Sequence, residues 1–252
     1  MAAKKPMHLE NPQLRDRIVI VTGAARRIGR ALAQASARAG ANVVVHYWRS
    51  RDEAGDSRRE IEALGRKAWT LRADLARPGE ATRLVEESAR LGTLFALINN
   101  AAVFDEQTMQ DTALADWERY LAVNLTAPFV LTQAFAARLT GTEPGRVVNI
   151  LDWRALRPDN EHFAYSVSKA ALAAMTKAMA LALAPEVSVN GLALGAILPP
   201  ATKSQRADVL NGVPAQRWGR LQEVEEALLF LLTGPAYVTG EIIHVDGGRH
   251  LT

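Results

Sequence analysis

From residue 17 onward, short β-branched apolar runs alternate with segments of helical spacing, and this alternation narrows the possible folds more than any other feature. "RIVIVTG" (17–23) is a continuous apolar run ending in glycine, the pattern of a strand buried on both faces of a parallel sheet. "RRIGRALAQASARAG" follows with helical periodicity and stops at Gly40. The same alternation continues through "ANVVVHYW" (strand), "EAGDSRREIEALG" (helix), "KAWTLRAD" (strand), "EATRLVEESARLG" (helix) and "FALINNAA" (strand). A long helix is expected over about 114–139, a strand at "GRVVNIL" and a second long helix over about 164–184. "VSVNGLAL" and "EIIHVDGG" complete the set. Such a chain needs right-handed crossovers, and it predicts an α/β fold: one doubly wound, mostly parallel sheet of about seven strands with helices on both faces. Residues 17–252 read as a single domain behind a loose tail at 1–16. The poorly patterned stretch at about 195–220 is expected to be a substrate loop.

At 252 residues a chain can bury roughly three quarters of its unfolded surface, so no disulfide or metal is needed to hold a core. There are no cysteines, which excludes thiolate catalysis and thiolate metal sites. The five histidines show no pair with metal-ligand spacing. No metal is expected, and His162 and His244 read as surface or packing residues. Thirty basic and 27 acidic residues, well mixed, leave a net charge of +3. That is too diffuse for a nucleic-acid stripe. The leader "MAAKKPMHLENPQLRD" has no apolar h-region, and no apolar run approaches the roughly 20 residues that span a bilayer. The expectation is a cytoplasmic protein without nucleic-acid or membrane partners.

"TGAARRIGR" lies between the first strand and the first helix, where unpaired N–H groups and the positive dipole end attract phosphate. Gly23 and Gly29 would let the backbone turn and approach a dinucleotide closely. The second strand ends in "HYWRS". A carboxylate about 20 residues past the glycines would bind the ribose hydroxyls of NAD. Trp48, Arg49 and Ser50 stand there instead, and a guanidinium with a serine hydroxyl suits a 2′-phosphate. The cofactor expected is therefore NADPH. The alternative is that Arg49 is only a solvated surface charge.

Tyr165 and Lys169 are four residues apart and share a helix face. An ammonium beside a phenol favours phenolate, so the lysine is expected to lower the tyrosine pKa. Thirteen residues before the tyrosine stands Asp152. An ionised carboxylate accepts hydrogen bonds and cannot donate them, so it would oppose charge growing on a carbonyl oxygen. An N-heterocycle brings its own N–H donors, and its C=N bond needs a proton at nitrogen as hydride reaches carbon. The bland alternative is an Asp that caps the turn after its strand.

With these residues the chain from Arg17 onward resembles the short-chain dehydrogenase/reductases. The match rests on "TGAARRIG", "AD" (73–74), "NNAA" (99–102), Asn124, Tyr165 with Lys169, and "VDGG" (245–248). The resemblance implies a Rossmann-like fold with Tyr165 as proton relay and Lys169 on the nicotinamide ribose, tuning the tyrosine. It gives Asn124 a supporting role for a relay water. It places Gly23, Arg27, Ile28, Gly29, His46, Tyr47, Trp48, Arg49, Ser50, Asp74, Leu75, Asn100, Ala101, Ala102, Gly195 and Ile197 at the cofactor. The chain departs from the family pattern at Arg27 (usually glycine), Asp152 (usually serine) and Leu194 (usually proline). The first two resemble the pteridine reductase branch, which includes bacterial dihydromonapterin reductases with dihydrofolate reductase activity. That likeness implies pterin or folate substrates held by Arg27, Phe104, Asp152 and Tyr165, with the phenylalanine and the nicotinamide sandwiching the pterin. Phe104 could instead be a core or lid-packing aromatic. Trp153 and Trp218 receive no role. The resemblance also suggests a homotetramer paired through the two long helices. A carbonyl reductase, and a non-catalytic NADPH-sensing protein, are the competing readings.

Overall fold

The computed structural model describes residues 11–140, 143–198 and 208–252. Most of the expected tail and the middle of the expected substrate loop (199–207) therefore lie outside the described residues. The first half of the chain runs β1 (Ile18–Val21), α1 (Arg27–Arg38), β2 (Asn42–Tyr47), α2 (Arg51–Ala63), β3 (Ala68–Arg72), α3 (Pro78–Ala89) and β4 (Leu94–Asn99). The second half runs α4 (Leu114–Leu121), α5 (Ala127–Ala136), β5 (Gly145–Asp152), α6 (Phe163–Leu183), β6 (Val187–Leu194), α7 (Leu221–Thr233) and β7 (Ile242–Val245).

All seven strands form one parallel sheet in the order β3-β2-β1-β4-β5-β6-β7. The order reverses between β1 and β4, so a crevice opens outside the carboxyl ends of those strands. The two-residue period of β1 divides the core. Val19 and Val21 join Leu32 of α1 and Leu228 of α7 on one face. Ile18 and Ile20 join Leu84 of α3 and Phe135 of α5 on the other. Both faces are dry, which is why β1 reads as an unbroken apolar run.

Three expectations change. The structure adds α7 to the expected set, and it covers the sheet beside α1. The long helix expected over 114–139 is broken by a π-turn at Ala122–Thr126. There the Asn124 side chain leaves the helix to bond elsewhere, and Pro128 lacks the N–H of a continuous ladder. The third concerns membranes: α6, with 21 residues, is by length and composition apolar enough to span a bilayer. In this fold it packs on the sheet beside β6 and carries buried Lys169.

Candidate active site

The phosphate end is locked from within. Thr22 Oγ1 accepts hydrogen bonds from the backbone N–H groups of Asn100 and Ala101, both at 2.9 Å. Asn100 Nδ2 donates back to the Thr22 carbonyl at 2.8 Å. A Cβ added at Gly29 would lie 2.2 Å from the Gly23 carbonyl oxygen, and one at Gly23, where φ is 63°, would lie 3.1 Å from Ala101 Cα. Both glycines are thus required for the loop to pack on itself as well as for a ligand's approach. His46 braces the loop from below. Its Nδ1 accepts from Gly23 N–H at 3.0 Å, so Nε2 carries the hydrogen and donates to the Ala73 carbonyl at 3.0 Å. Burial lowers its pKa to about 4, so the ring is neutral. With 2% exposure and both nitrogens spent, the His46 side chain positions the loop. The Leu75 side chain likewise lies in the core. Thr22 is a functional residue that sequence reasoning missed.

At the start of α1, Arg26 provides no side-chain cap and the first turn holds no acid, so its N–H groups are open to an anion. Arg27 sits at φ 52°, in the left-handed region where the family pattern has glycine. The backbone has kept the glycine conformation while the side chain has gained a guanidinium. At the end of β2, the Arg72 guanidinium lies 4.5 Å from the Trp48 ring centroid and its Nε donates to the Trp48 carbonyl at 3.3 Å. Exposed Arg49 stands beside them. Ser50 begins α2 without spending its hydroxyl on a cap, leaving it free for phosphate. Asp74, after β3, is half-buried and accepts from Ala76 N–H at 3.1 Å; Tyr47 and Ala101 are half-buried and Ala102 is exposed. The donors, the open helix end and the glycine cradle all suit a phosphate-bearing dinucleotide.

The catalytic end gathers at the last residue of β5 and the first turns of α6. Tyr165 Oη donates to Asp152 Oδ2 at 3.2 Å. Asp152 Oδ1 accepts from Arg154 N–H at 2.9 Å and faces Arg154 Nη1 at 3.4 Å. One oxygen of Asp152 thus caps the turn, the bland alternative, and the other meets the phenol. Arg154 is also bonded to Asp159. Lys169 Nζ donates to the Ile150 carbonyl at 2.7 Å and lies 5.7 Å from the Tyr165 ring centroid. Asn124 is buried; its side chain accepts from Val103 N–H at 2.8 Å and donates to Ser168 Oγ at 3.0 Å. It ties the π-turn to α6 and to the segment after β4.

The tyrosine's acidity runs opposite to the sequence expectation. Burial and the Asp152 carboxylate hold the phenol well above its usual pKa, with Arg154 only partly opposing them. Burial lowers Lys169 to about 8. The lysine shares the face, but the acid is bonded to the phenol directly and the tyrosine is buried. Tyr165 thus stays protonated through the neutral range and is set to give a proton rather than take one.

A cavity of about 580 Å³ opens onto this cluster. Arg27, Ile28, Phe104, Asp152, Tyr165, Gly195 and Ile197 line it as expected. Leu194, where the family pattern has proline, simply continues β6, paired with Asp152 and Val245. Phe104 is 51% exposed, so it is no core aromatic. Its ring stacks on His162 at 4.4 Å and meets the edge of Tyr165 at 4.7 Å. Of the two readings of His162, surface or packing, it is the second: a buried residue of the pocket wall that backs Phe104. His244 stacks on His250 at 4.0 Å, outside this pocket. Trp153, Arg154, Trp218 and Arg249 also line the cavity. Adjacency to Asp152 and to "VDGG" offered a signal for Trp153, Arg154 and Arg249; nothing local marks Trp218.

A family model described as short chain dehydrogenase matches residues 17–210. The 3-oxoacyl-acyl-carrier-protein reductase of Synechocystis is 34% identical over 236 residues, covering 92% of this chain and 96% of that protein. The crystal structure of FolM alternative dihydrofolate reductase 1 from Brucella canis, complexed with NADP, superposes with a TM-score of 0.87 at 34% identity, covering 95% of this chain and 96% of that one. A blue fluorescent protein from a metagenomic library, in complex with NADPH, gives a TM-score of 0.89 at 31% identity, covering 94% of this chain and 99% of that one.

Proposed function

The chain belongs to the short-chain dehydrogenase family and is an NADP-dependent oxidoreductase, and from that premise we propose that it is a pteridine reductase that reduces the C=N bond of dihydropterins. The observation that carries the reading is the Tyr165 hydroxyl donating to the Asp152 carboxylate at 3.2 Å. When bound, NADPH supplies the hydride. The protein's own groups handle the proton and the orientation.

Tyr165, kept protonated by burial and by Asp152, is the proton donor to the ring nitrogen. Asp152, held by Arg154, accepts from N–H or NH₂ groups that a pterin carries and a ketone lacks. The exposed ring of Phe104, backed by His162, offers a flat surface for the heterocycle. Lys169 and the α1 N-terminus with Arg27 would hold the cofactor's ribose and phosphates.

Carbonyl reduction is the second reading, favoured by the Synechocystis relative. Against it stands the carboxylate, which would repel a developing oxyanion. NADPH oxidation measured in parallel with dihydrobiopterin, dihydromonapterin, dihydrofolate, a simple ketone and a 3-oxoacyl thioester separates the two. Turnover of the carbonyl substrates alone would reject the pterin reading. Turnover of nothing, with tight NADPH binding retained, would point to a sensor.

A cytoplasmic homotetramer without nucleic-acid or membrane partners completes the proposal. Exposed Phe129 on α5 and Leu181 on α6 supply apolar side chains for pairing between subunits. A monomer mass by light scattering would remove that part.

A further inference from the structure

Two arginines reach the same indole in the pocket wall. The guanidinium carbon of Arg154 lies 4.8 Å from the Trp153 ring centroid, and that of Arg249 lies 4.2 Å from it. Arg154 is answered by Asp152 and Asp159. Among the described residues Arg249 has no carboxylate partner, and its guanidinium makes one hydrogen bond, from Nη1 to the Val209 carbonyl at 3.1 Å. A guanidinium has five N–H donors, so most of its fork stays uncommitted in a half-buried place. Burial and the neighbouring charge of Arg154 disfavour its cation, and the fields of Asp152, Asp159 and Asp246 offset them only in part. A half-buried cation that no carboxylate among the described residues ion-pairs is costly unless an anion arrives from outside.

The position is also rigid. Gly248 turns at φ 87° into the C-terminal turn Arg249–Leu251. Asp246 anchors that turn, accepting from Gly248 N–H at 2.9 Å, from His250 N–H at 2.8 Å and from His250 Nδ1 at 2.7 Å. The guanidinium is thus held in the wall of the cavity that contains Asp152 and Tyr165.

We propose that Arg249 is the specificity-determining residue that reads an anionic group, carboxylate or phosphate, on the substrate's tail beyond the reacting ring. Only the identity of that ring rests on the pteridine reductase reading. On this view a dihydropterin with an acidic tail is preferred over one with a neutral polyhydroxy tail. The charge that Asp152 needs nearby is already supplied by Arg154, which leaves Arg249 for the ligand.

The test compares wild type with Arg249→Gln and Arg249→Lys at saturating NADPH, on dihydrofolate, a phosphorylated dihydroneopterin and dihydromonapterin. Arg249→Gln should raise KM for the acidic substrates about tenfold or more, with kcat and the neutral substrate's KM changed less than about twofold, and Arg249→Lys should restore part of the loss. A response confined to one acidic substrate supports the proposal and identifies the anion. Equal effects on acidic and neutral substrates, or none on the acidic ones, overturn it. Binding of p-aminobenzoylglutamate, an acidic tail without the pterin ring, to the NADP-loaded protein keeps the two readings apart. Calorimetry should show binding to wild type that weakens about tenfold in Arg249→Gln, even if no dihydropterin is turned over. Equal binding to both proteins, or none to wild type, would also overturn the role of Arg249.

Discussion

At the phosphate end, the fold answers its own polar groups. Thr22, Asn100, His46 and the Gly23 backbone bond to one another, and the two glycines are needed for that closure before any ligand is considered. At the catalytic end, opposed charges accumulate in a largely buried place. Asp152, Arg154, Tyr165 and Lys169 lie together, and the protonation of Tyr165 and Lys169 is set by burial and neighbouring charge rather than by backbone shape. The first region is specified sterically and the second electrostatically. Perturbing the first should therefore damage binding and stability, whereas perturbing the second should damage chemistry while the fold survives.

Tyr165→Phe removes the proton donor with little change in shape, and turnover should fall by about 10² to 10⁴ while NADPH affinity is kept. A comparable loss of cofactor binding, measured by fluorescence titration, would break the separation of the two regions. Gly29→Ala places a methyl against the Gly23 carbonyl. It should weaken NADPH binding by about 10² and lower stability by roughly 1–3 kcal/mol in denaturant titration. Unchanged binding would mean that the loop is softer than its packing indicates. Asp152→Ser should cost at least about tenfold in dihydropterin reduction with the melting temperature little changed; equal steady-state rates would count against the carboxylate's role.

The pH profile gives a finer discrimination. Lys169 is charged below its lowered pKa of about 8 and loses that charge as pH rises through it. The loss also removes a cation beside the Tyr165 ring, so kcat/KM should decline above about pH 8. A flat profile up to about pH 9.5 would show that the cation is not needed. The smallest effect belongs to Arg27→Gly, which relieves a left-handed conformation at φ 52°. It should raise stability by about 1 kcal/mol, read from the denaturation midpoint, while weakening ligand binding. Lower stability would mean that the guanidinium, and not the backbone, dominates at this position.

The two regions also differed in how far they could be read beforehand. The strand runs, the glycine spacing and the i, i+4 pair are local patterns, and each appears where expected: Val187–Leu194 is a strand from end to end, and Tyr165 and Lys169 share a face. The π-turn was hidden because its cause is Asn124 bonding to Val103, 21 positions away. The bracing role of His46 was hidden for a similar reason: its partners, Gly23 and Ala73, come from other strand ends. His162 and Trp218 carry no local mark of the pocket, since their neighbours come from elsewhere in the chain.

The order of side chains by itself determined the parallel sheet, the phosphate turn and the presence of an acid in place of a hydroxyl near the phenol. These follow from periodicity, from the absence of a Cβ, and from the kinds of atoms present. Only the tertiary structure decided that the phenol is a weaker acid than usual, that Arg154 is ion-paired while Arg249, among the described residues, is not, and that His46 props a loop. Those outcomes depend on distance and desolvation between residues far apart in sequence, quantities that no local pattern encodes.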